Sequence, residues 1–125
     1  MKAEPRKVYG PKYPARRLLE LVGDKWTPIV LYSLSRSVKR FSAIQREIPD
    51  ISKKMLIQVL RALEKGGLVE RIVYPVVPPK TEYRLTPAGE KLHGAVAALC
   101  DWASDNEAFL DAIHDRRRAA AHPDD

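Results

Sequence analysis

The chain has 125 residues, of which 45% are hydrophobic and 30% charged, and its formal net charge at pH 7 is +6. This length and composition favour one globular domain with its own core. The sequence has no apolar run of the roughly 18 residues that span a membrane, no secretory signal, and a single cysteine, which excludes an intrachain disulfide. We therefore expect a cytoplasmic protein without membrane partners.

The positive charge is concentrated in the first part of the chain. Residues 1–100 contain 19 Lys and Arg against 9 Asp and Glu, whereas residues 101–125 contain 3 against 7. A basic body attracts polyanions such as nucleic acid, although a surface kept basic only for solubility has the same composition. Charge alone therefore indicates a nucleic-acid partner without establishing one.

The N-terminal residues predict an arm followed by two helices. Residues 1–12 contain prolines and four basic side chains and are typical of a flexible basic arm. Pro14 begins a helix that Gly23 ends. A second helix follows at once, with either Asp24 or Thr27 as its N-cap.

Residues 41–65 predict a helix-turn-helix. Ser42 and Gln45 have the spacing of a capping box, which predicts a short helix from Ala43 that Pro49 stops. Ser52 is the expected N-cap of the next helix, only two residues after that stop. In this arrangement the second helix enters the major groove of DNA.

That second helix has two opposed faces when residues are spaced about 100° apart. Its apolar face is formed by Leu56, Val59, Leu60 and Leu63. Its polar face is formed by Lys54, Gln58, Arg61 and Lys65. Lys and Arg suit phosphates and guanine edges, and Gln can pair bidentately with adenine. The polar face therefore has the chemistry of a surface that reads duplex DNA.

The next segment predicts a β-hairpin. Gly66 and Gly67 end the helix, and two strands follow at residues 68–74 and 81–85. A loop with three prolines joins them and places Lys80 near its tip. A hairpin in this position is expected to be a wing that reaches the phosphates or the minor groove beside the helix through Lys80, with Arg71 and Arg84 as further candidates. The alternative is a hairpin that only closes the core.

The C-terminal part predicts helices with surplus apolar surface. Thr86 and Pro87 begin a helix, and the capping-box spacing of Ser104 and Glu107 leaves open whether it continues or a new helix begins. We interpret the surplus as a homodimer interface formed with the first helix. Residues 115–125 are expected to be a flexible tail. The expected interface residues are Leu18, Leu92, Val96, Leu99, Trp102 and Phe109.

Several short elements are spaced along the chain: Tyr13-Pro14, Gly23-Asp24-Lys25-Trp26-Thr27, Arg40-Phe41-Ser42, residues 51–56, 60–64, 67–69 and 73–75, Pro78-Pro79, Glu82-Tyr83, and Leu85-Thr86 with Gly89. Taken together, they resemble the HxlR-type winged-helix transcriptional regulators over residues 13 to about 105. The resemblance implies an α+β, mainly α fold, in which residues 13–114 form a winged helix-turn-helix domain with a two-stranded wing and N- and C-terminal dimerisation helices.

The resemblance also implies a function. Members are cytoplasmic bacterial or archaeal dimers that bind a near-palindromic operator and respond to a small-molecule or redox signal. Repression is the ordinary outcome for a small DNA-binding domain without an activating surface. We thus expect a sequence-specific repressor of double-stranded DNA, the alternative being a basic winged-helix module that binds protein or RNA. The candidate DNA-contacting residues are Arg40, Ser42, Ser52, Lys53, Lys54, Gln58, Arg61, Lys65 and Lys80.

One departure concerns sensing. Redox-sensing members commonly carry a cysteine directly before the first-helix proline, where this chain has Tyr13, so their thiol chemistry cannot be carried over. Cys100 is expected to act as a small buried residue of the dimer helix. Trp26 and Trp102 are expected as core and interface anchors, although a planar effector would stack on them. The sequence leaves open an effector pocket near the dimer seam or no sensing.

The sequence offers no candidate residues for metal binding or catalysis. His93, His114 and His122 together with Cys100 lack the spacing of zinc ligands, so we expect no metal and no cofactor. The sequence has no glycine-rich phosphate loop, nucleophile elbow or paired-carboxylate spacing. We therefore do not expect an enzyme.

Overall fold

The computed structural model describes residues 9–121, which contain six helices and a small antiparallel sheet with strand order β1-β3-β2. The mainly helical α+β prediction is confirmed, whereas residues 1–8 of the expected arm and 122–125 of the expected tail lie outside the described residues. In chain order the elements are α1 (Pro14–Val22), α2 (Thr27–Arg36), β1 (Lys39–Arg40), α3 (Phe41–Glu47), α4 (Lys53–Lys65), β2 (Val69–Tyr74), β3 (Lys80–Leu85), α5 (Pro87–Asp105) and α6 (Glu107–Ala121).

The chain divides into two compact units, Met1–His93 and Gly94–Asp125, and the division falls inside α5. The first unit contains α1 to α4, the sheet and the start of α5. Helix α2 contacts both α3 and α4, and α4 contacts β2. The core of this unit therefore lies between the helix-turn-helix and the sheet. Its largest fully buried side chains are Val30, Leu31, Ile44, Leu56, Leu60 and Leu63.

Local signals fix both ends of α4 as predicted. The Ser52 hydroxyl accepts a hydrogen bond from the backbone N–H of Met55 at 3.0 Å. At the other end Gly66 is the C-cap. Gly67 has a backbone φ of 78°, which residues other than glycine rarely adopt. The chain then turns directly into β2, so α4 is followed at once by the wing.

The start of α2 differs from both predicted alternatives, although Asp24 and Thr27 both contribute to it. One of the Asp24 carboxylate oxygens accepts hydrogen bonds from the backbone N–H groups of Trp26 and Thr27, at 2.8 and 2.7 Å. The other accepts one from the Thr27 hydroxyl at 2.6 Å. The N-cap position is occupied by Trp26 and not by either predicted residue. Asp24 lies two residues before it, and its carboxylate caps the N–H groups at the start of the helix, whose first residue is Thr27.

The start of α3 differs from the prediction. The helix begins at Phe41 rather than Ala43, and no side chain caps it, so the capping box of Ser42 and Gln45 is wrong. The reason is the short strand β1, which the sequence pattern did not predict. Its Arg40 pairs with Glu82 of β3, and this pairing holds the backbone extended up to the residue before the helix.

The sequence left open whether the helix that begins at Pro87 continues or a new one starts after it. The structure shows the second alternative: α5 ends at Asp105, and a separate helix, α6, begins at Glu107. Asn106 lies between α5 and α6, and its side-chain amide donates to the Trp102 carbonyl at 2.8 Å. Helix α6 runs to Ala121, so residues 115–121 of the expected flexible tail are helical. Three Arg and three Ala in succession at residues 116–121 explain this, because both are strong helix formers.

A charged network joins α2, β1 and α3. The Lys39 ammonium lies 2.6 Å from a Glu47 carboxylate oxygen and donates to the Ser33 carbonyl at 2.6 Å. The Ser33 hydroxyl donates to Glu47 at 3.0 Å. The Lys39 side chain is 10% exposed and that of Glu47 is 46% exposed. The buried partner is thus the lysine.

This asymmetry predicts unequal effects of removing either partner. Glu47→Ala leaves a nearly buried ammonium without its carboxylate and should cost about 1–3 kcal/mol of unfolding free energy. Lys39→Met keeps the apolar stem and leaves a half-exposed carboxylate, so its cost should stay below about 1 kcal/mol. Urea unfolding at pH 7 measures both. Equal losses, or a larger loss for Lys39→Met, would contradict the assignment of the lysine as the buried partner.

A second prediction concerns Asp24 and pH. Desolvation raises the pKa of its carboxyl, but the hydrogen bonds from Thr27 and Trp26 outweigh this and hold the pKa below the ordinary 3.8. A lowered folded-state pKa stabilises the fold above the unfolded pKa, and this contribution is lost as pH falls through the folded one. Asp24→Ala should therefore cost about 0.5–2 kcal/mol at pH 7.

The same difference between wild type and Asp24→Ala should shrink when unfolding is measured progressively below pH 4. Asp50→Ala is the matched control, because Asp50 is exposed in the turn before α4. A difference that stays constant with pH would show that the ionised carboxylate is not what caps α2.

Candidate nucleic-acid interface

Helix α4 shows the two faces that the sequence predicted. The four residues of the predicted apolar face are at most 7% exposed and belong to the core. The residues of the predicted polar face point to solvent because they lie on the side of the helix opposite the buried apolar residues. The buried set is Leu56, Val59, Leu60 and Leu63, and the exposed set is Lys54, Gln58, Arg61 and Lys65.

The remaining candidates of the helix-turn-helix are exposed as well. Arg40 directly precedes α3, and Ser42 is in its first turn. Ser52 and Lys53 lie at the start of α4, where the Ser52 hydroxyl is also the N-cap acceptor. Exposed basic and hydroxyl side chains thus lie at the starts of both α3 and α4. The start of a helix also carries the positive end of the helix dipole, which favours phosphate.

The wing is a regular antiparallel hairpin whose register runs from Val69 opposite Leu85 to Tyr74 opposite Lys80. Lys80 is therefore the first residue of β3 and not near the tip of the loop, because strand pairing extends one residue further than predicted. Its ammonium lies 3.5 Å from a Glu82 carboxylate oxygen and 4.9 Å from the centre of the Tyr74 ring. Lys80 is thus already engaged by its neighbours.

The two other wing cations differ from each other. Arg84 forms an ion pair with Glu70 at 2.8 Å. Arg71 instead lines a groove between the wing and α4, together with Lys53 and Arg61. The sequence pattern presents Arg71 and Arg84 only as equivalent alternatives. Only the strand register distinguishes them, and no sequence motif indicates it.

A hydrogen bond on the wing also changes the acidity of Tyr74. The Tyr74 hydroxyl donates to a Glu82 carboxylate oxygen at 2.9 Å. This bond stabilises the protonated phenol and raises the pKa of Tyr74. Glu82 thus receives contacts from both Tyr74 and Lys80 and compensates the charge of Lys80.

The expected interface residues are mostly accessible in the isolated chain. Leu18, Leu99, Trp102 and Phe109 are exposed, and Leu92 is half-buried. Within the C-terminal unit the Trp102 and Phe109 rings meet edge to face, with centres 6.1 Å apart. Val96 is the exception: at 3% exposure it is buried within the chain and has almost no surface left for a partner.

The candidate sensing residues have separate surroundings. Trp26 is half-buried in the first unit, with the Lys25 ammonium 4.7 Å from its ring centre, whereas Trp102 belongs to the second unit. Cys100 is exposed in the isolated chain, not buried. Over residues 9–121, no cluster of three His, Cys, Asp or Glu side chains is placed to hold a metal. Nor is any helix in this range both long and apolar enough to cross a membrane.

The sequence of this chain is similar to those of known transcriptional regulators with a helix-turn-helix. The model of the HxlR-like helix-turn-helix family matches residues 21–110. YtfH, an HTH-type transcriptional regulator of Escherichia coli (strain K12), is 43% identical over 112 residues, covering 90% of this chain and 89% of YtfH. YkvN, another from Bacillus subtilis (strain 168), is 51% identical over 83 residues, covering 66% and 70%.

Solved structures agree with these relatives. A transcriptional regulator of the MarR family from Porphyromonas gingivalis W83 has a TM-score of 0.76 and 36% identity, covering 81% of this chain and 99% of its own. The redox regulator HypR in its reduced form has a TM-score of 0.77 and 38% identity, covering 80% and 99%. Together with the geometry of α4 and the wing, these matches show that the chain belongs to the HxlR-like helix-turn-helix family of winged-helix transcriptional regulators.

Proposed function

We propose that this regulator binds double-stranded DNA sequence-specifically as a homodimer and represses transcription from a near-palindromic operator. The observation that carries the proposal is the exposed polar face of α4, which the buried Leu56, Leu60 and Leu63 hold toward solvent. A helix presented in this way fits the major groove of B-form DNA.

The proposal divides the contacts into two kinds. Gln58 and Arg61 lie in the middle of the exposed face and carry the side chains that hydrogen-bond adenine and guanine edges. Exposed basic and hydroxyl residues at the starts of α3 and α4, together with Lys65 at the end of α4, position the helix on phosphates. This positioning set consists of Arg40, Ser42, Ser52, Lys53, Lys54 and Lys65. The predicted wing residue Lys80 is left out of it, because its ammonium lies 3.5 Å from a Glu82 carboxylate oxygen.

Exposed apolar side chains support the homodimer. In α1, Leu18 and Leu19 are 39% and 60% exposed, and in the C-terminal unit Leu99 and Phe109 are 65% and 56% exposed. Large apolar side chains on a helix face are typical of a subunit contact. A two-fold dimer would place two copies of α4 in half-sites about 34 Å apart, or a multiple of that distance.

A redox signal is not part of the proposal, although HypR is described as a redox regulator. Tyr13 stands directly before the first-helix proline and has no thiol to oxidise. The candidate residues for stacking on a planar small-molecule effector are Trp26 and Trp102.

Substitutions at Gln58 and Arg61 test whether they read bases. With an operator selected from random duplexes, Gln58→Ala or Arg61→Ala should each lose about 1–3 kcal/mol of binding free energy. Each should also relax the preference at one base pair per half-site. Fluorescence anisotropy with single-base-pair variants of the operator measures both effects, and Ser104→Ala on α5 is an exposed control that should change neither.

The same assay distinguishes the alternative function. Specific binding should exceed binding to a scrambled duplex by about 10³ or more. Equal affinity for the selected and scrambled duplexes would favour a module that binds protein or RNA and would remove the case for base readout.

Substitutions of exposed aromatic side chains in the C-terminal unit test the proposed dimer. Trp102→Ser together with Phe109→Ser should shift the protein toward monomer in sedimentation equilibrium and weaken operator binding, because they remove large apolar contact area. Val76→Ser is a matched control, since Val76 is 51% exposed in the wing loop. A wild-type monomer at micromolar concentration, or an unchanged dimer in the double variant, would contradict this interface.

A further inference from the structure

The two faces of the wing differ in charge. Because side chains alternate along a strand, the pairs Glu70 with Arg84, Ile72 with Glu82, and Tyr74 with Lys80 share one face of the β2–β3 hairpin. We call it the outer face. Arg71 with Tyr83 and Val73 with Thr81 share the opposite face, which we call the inner face. Arg71, Thr81 and Tyr83 of the inner face line the groove beside α4.

Both cations of the outer face are already compensated. Arg84 is paired with Glu70 at 2.8 Å, and Lys80 lies 3.5 Å from Glu82. Two cations and two carboxylates leave this face with no net charge. A phosphate that approached it would have to displace a carboxylate before it gained an ion pair.

The inner face carries an uncompensated cation. Within residues 9–121 the structure gives Arg71 no carboxylate within 4.0 Å, and its side chain is exposed. The groove that it lines has a volume of about 340 Å³ and is also lined by Lys53, Arg61 and Glu64 of α4. Three cations against one carboxylate give these walls a net charge of +2.

We propose that this groove binds a phosphate of the DNA backbone, with Arg71 as the ligand from the wing and Lys53 as its counterpart on α4. The inference rests on the proposed DNA-binding function and deepens it, because it assigns the wing contact to Arg71 rather than to Lys80 or Arg84. A guanidinium presents paired N–H donors that match two phosphate oxygens. The hydroxyls of Thr81 and Tyr83, on the same face, are further donors for the remaining oxygens.

The position of the groove fits this role. Arg61 belongs both to the groove and to the exposed face of α4. A strand whose bases face α4 would therefore have a backbone close to the groove. Arg71 holds that backbone from the wing side and thereby fixes the depth at which α4 enters the major groove.

The test compares Arg71→Gln with Arg84→Gln. Both substitutions remove one positive charge from an exposed strand position of the same hairpin, so a general electrostatic loss affects them alike. The measured quantity is the slope of log affinity against log salt concentration for the selected operator. Arg71→Gln should reduce this slope by about 0.9 for each phosphate that the variant no longer neutralises. It should also weaken binding about tenfold, a loss of about 1.4 kcal/mol.

The controls are expected to separate charge from geometry. Arg84→Gln and Lys80→Gln should leave the slope within error of wild type. Arg71→Lys keeps the charge without the paired donors, so it should keep the slope and lose only part of the affinity. Thermal unfolding of every variant checks that the hairpin is intact.

The outcomes are distinct. If wild type binds the operator and Arg71→Gln has the same slope as Arg84→Gln, this inference is overturned while the proposed function stands. If Lys80→Gln or Arg84→Gln reduces the slope and Arg71→Gln does not, the outer face makes the contact and the inference is wrong. Failure of wild type to prefer any duplex would instead overturn the proposed function, and the phosphate site with it.

Discussion

Burial of one side of α4 is the constraint on which the rest of the structure depends. Leu56, Leu60 and Leu63 are at most 2% exposed, and burying each such side chain stabilises the fold by about 1.5–3 kcal/mol. A rotation of α4 about its axis by one residue spacing would expose these side chains and bury Gln58 or Arg61 without partners. Because both changes are unfavourable, the rotation is fixed, and the polar face points to solvent whether or not DNA is present.

The sheet fixes the position of the wing relative to this helix. Strand β3 lies between β1 and β2, so one strand connects the residues that enter α3 with the hairpin that follows α4. At the same time the Thr86 hydroxyl donates to the Gly67 carbonyl at 2.6 Å, which joins the end of the wing to the end of α4. These links keep Arg71 beside Arg61 and make the groove a preformed feature of the fold.

Local signals make much of this fold predictable. The N-caps Ser52 and Thr86 each accept a hydrogen bond from the N–H three residues later, and Gly67 turns the chain directly after α4. Because these signals are local, the predicted boundaries of α4 and the predicted start of α5 are correct. Long-range pairing is not predictable in this way: β1 has only two residues and exists because β3 lies beside it, and this pairing moves the start of α3 away from Ser42. The same register decides which wing cations meet carboxylates. The sequence therefore identifies the face of α4 but not the groove beside it.

The most direct test of the central claim is amide hydrogen exchange with and without the selected operator duplex. Added protection should concentrate in residues 52–65 and around Arg71, while residues 107–121 of α6 should be unchanged by the duplex. A scrambled duplex at the same concentration should give little of this protection. Protection confined to α1 or α6, with α4 unaffected by a duplex that binds tightly, would contradict the proposed role of the α4 face.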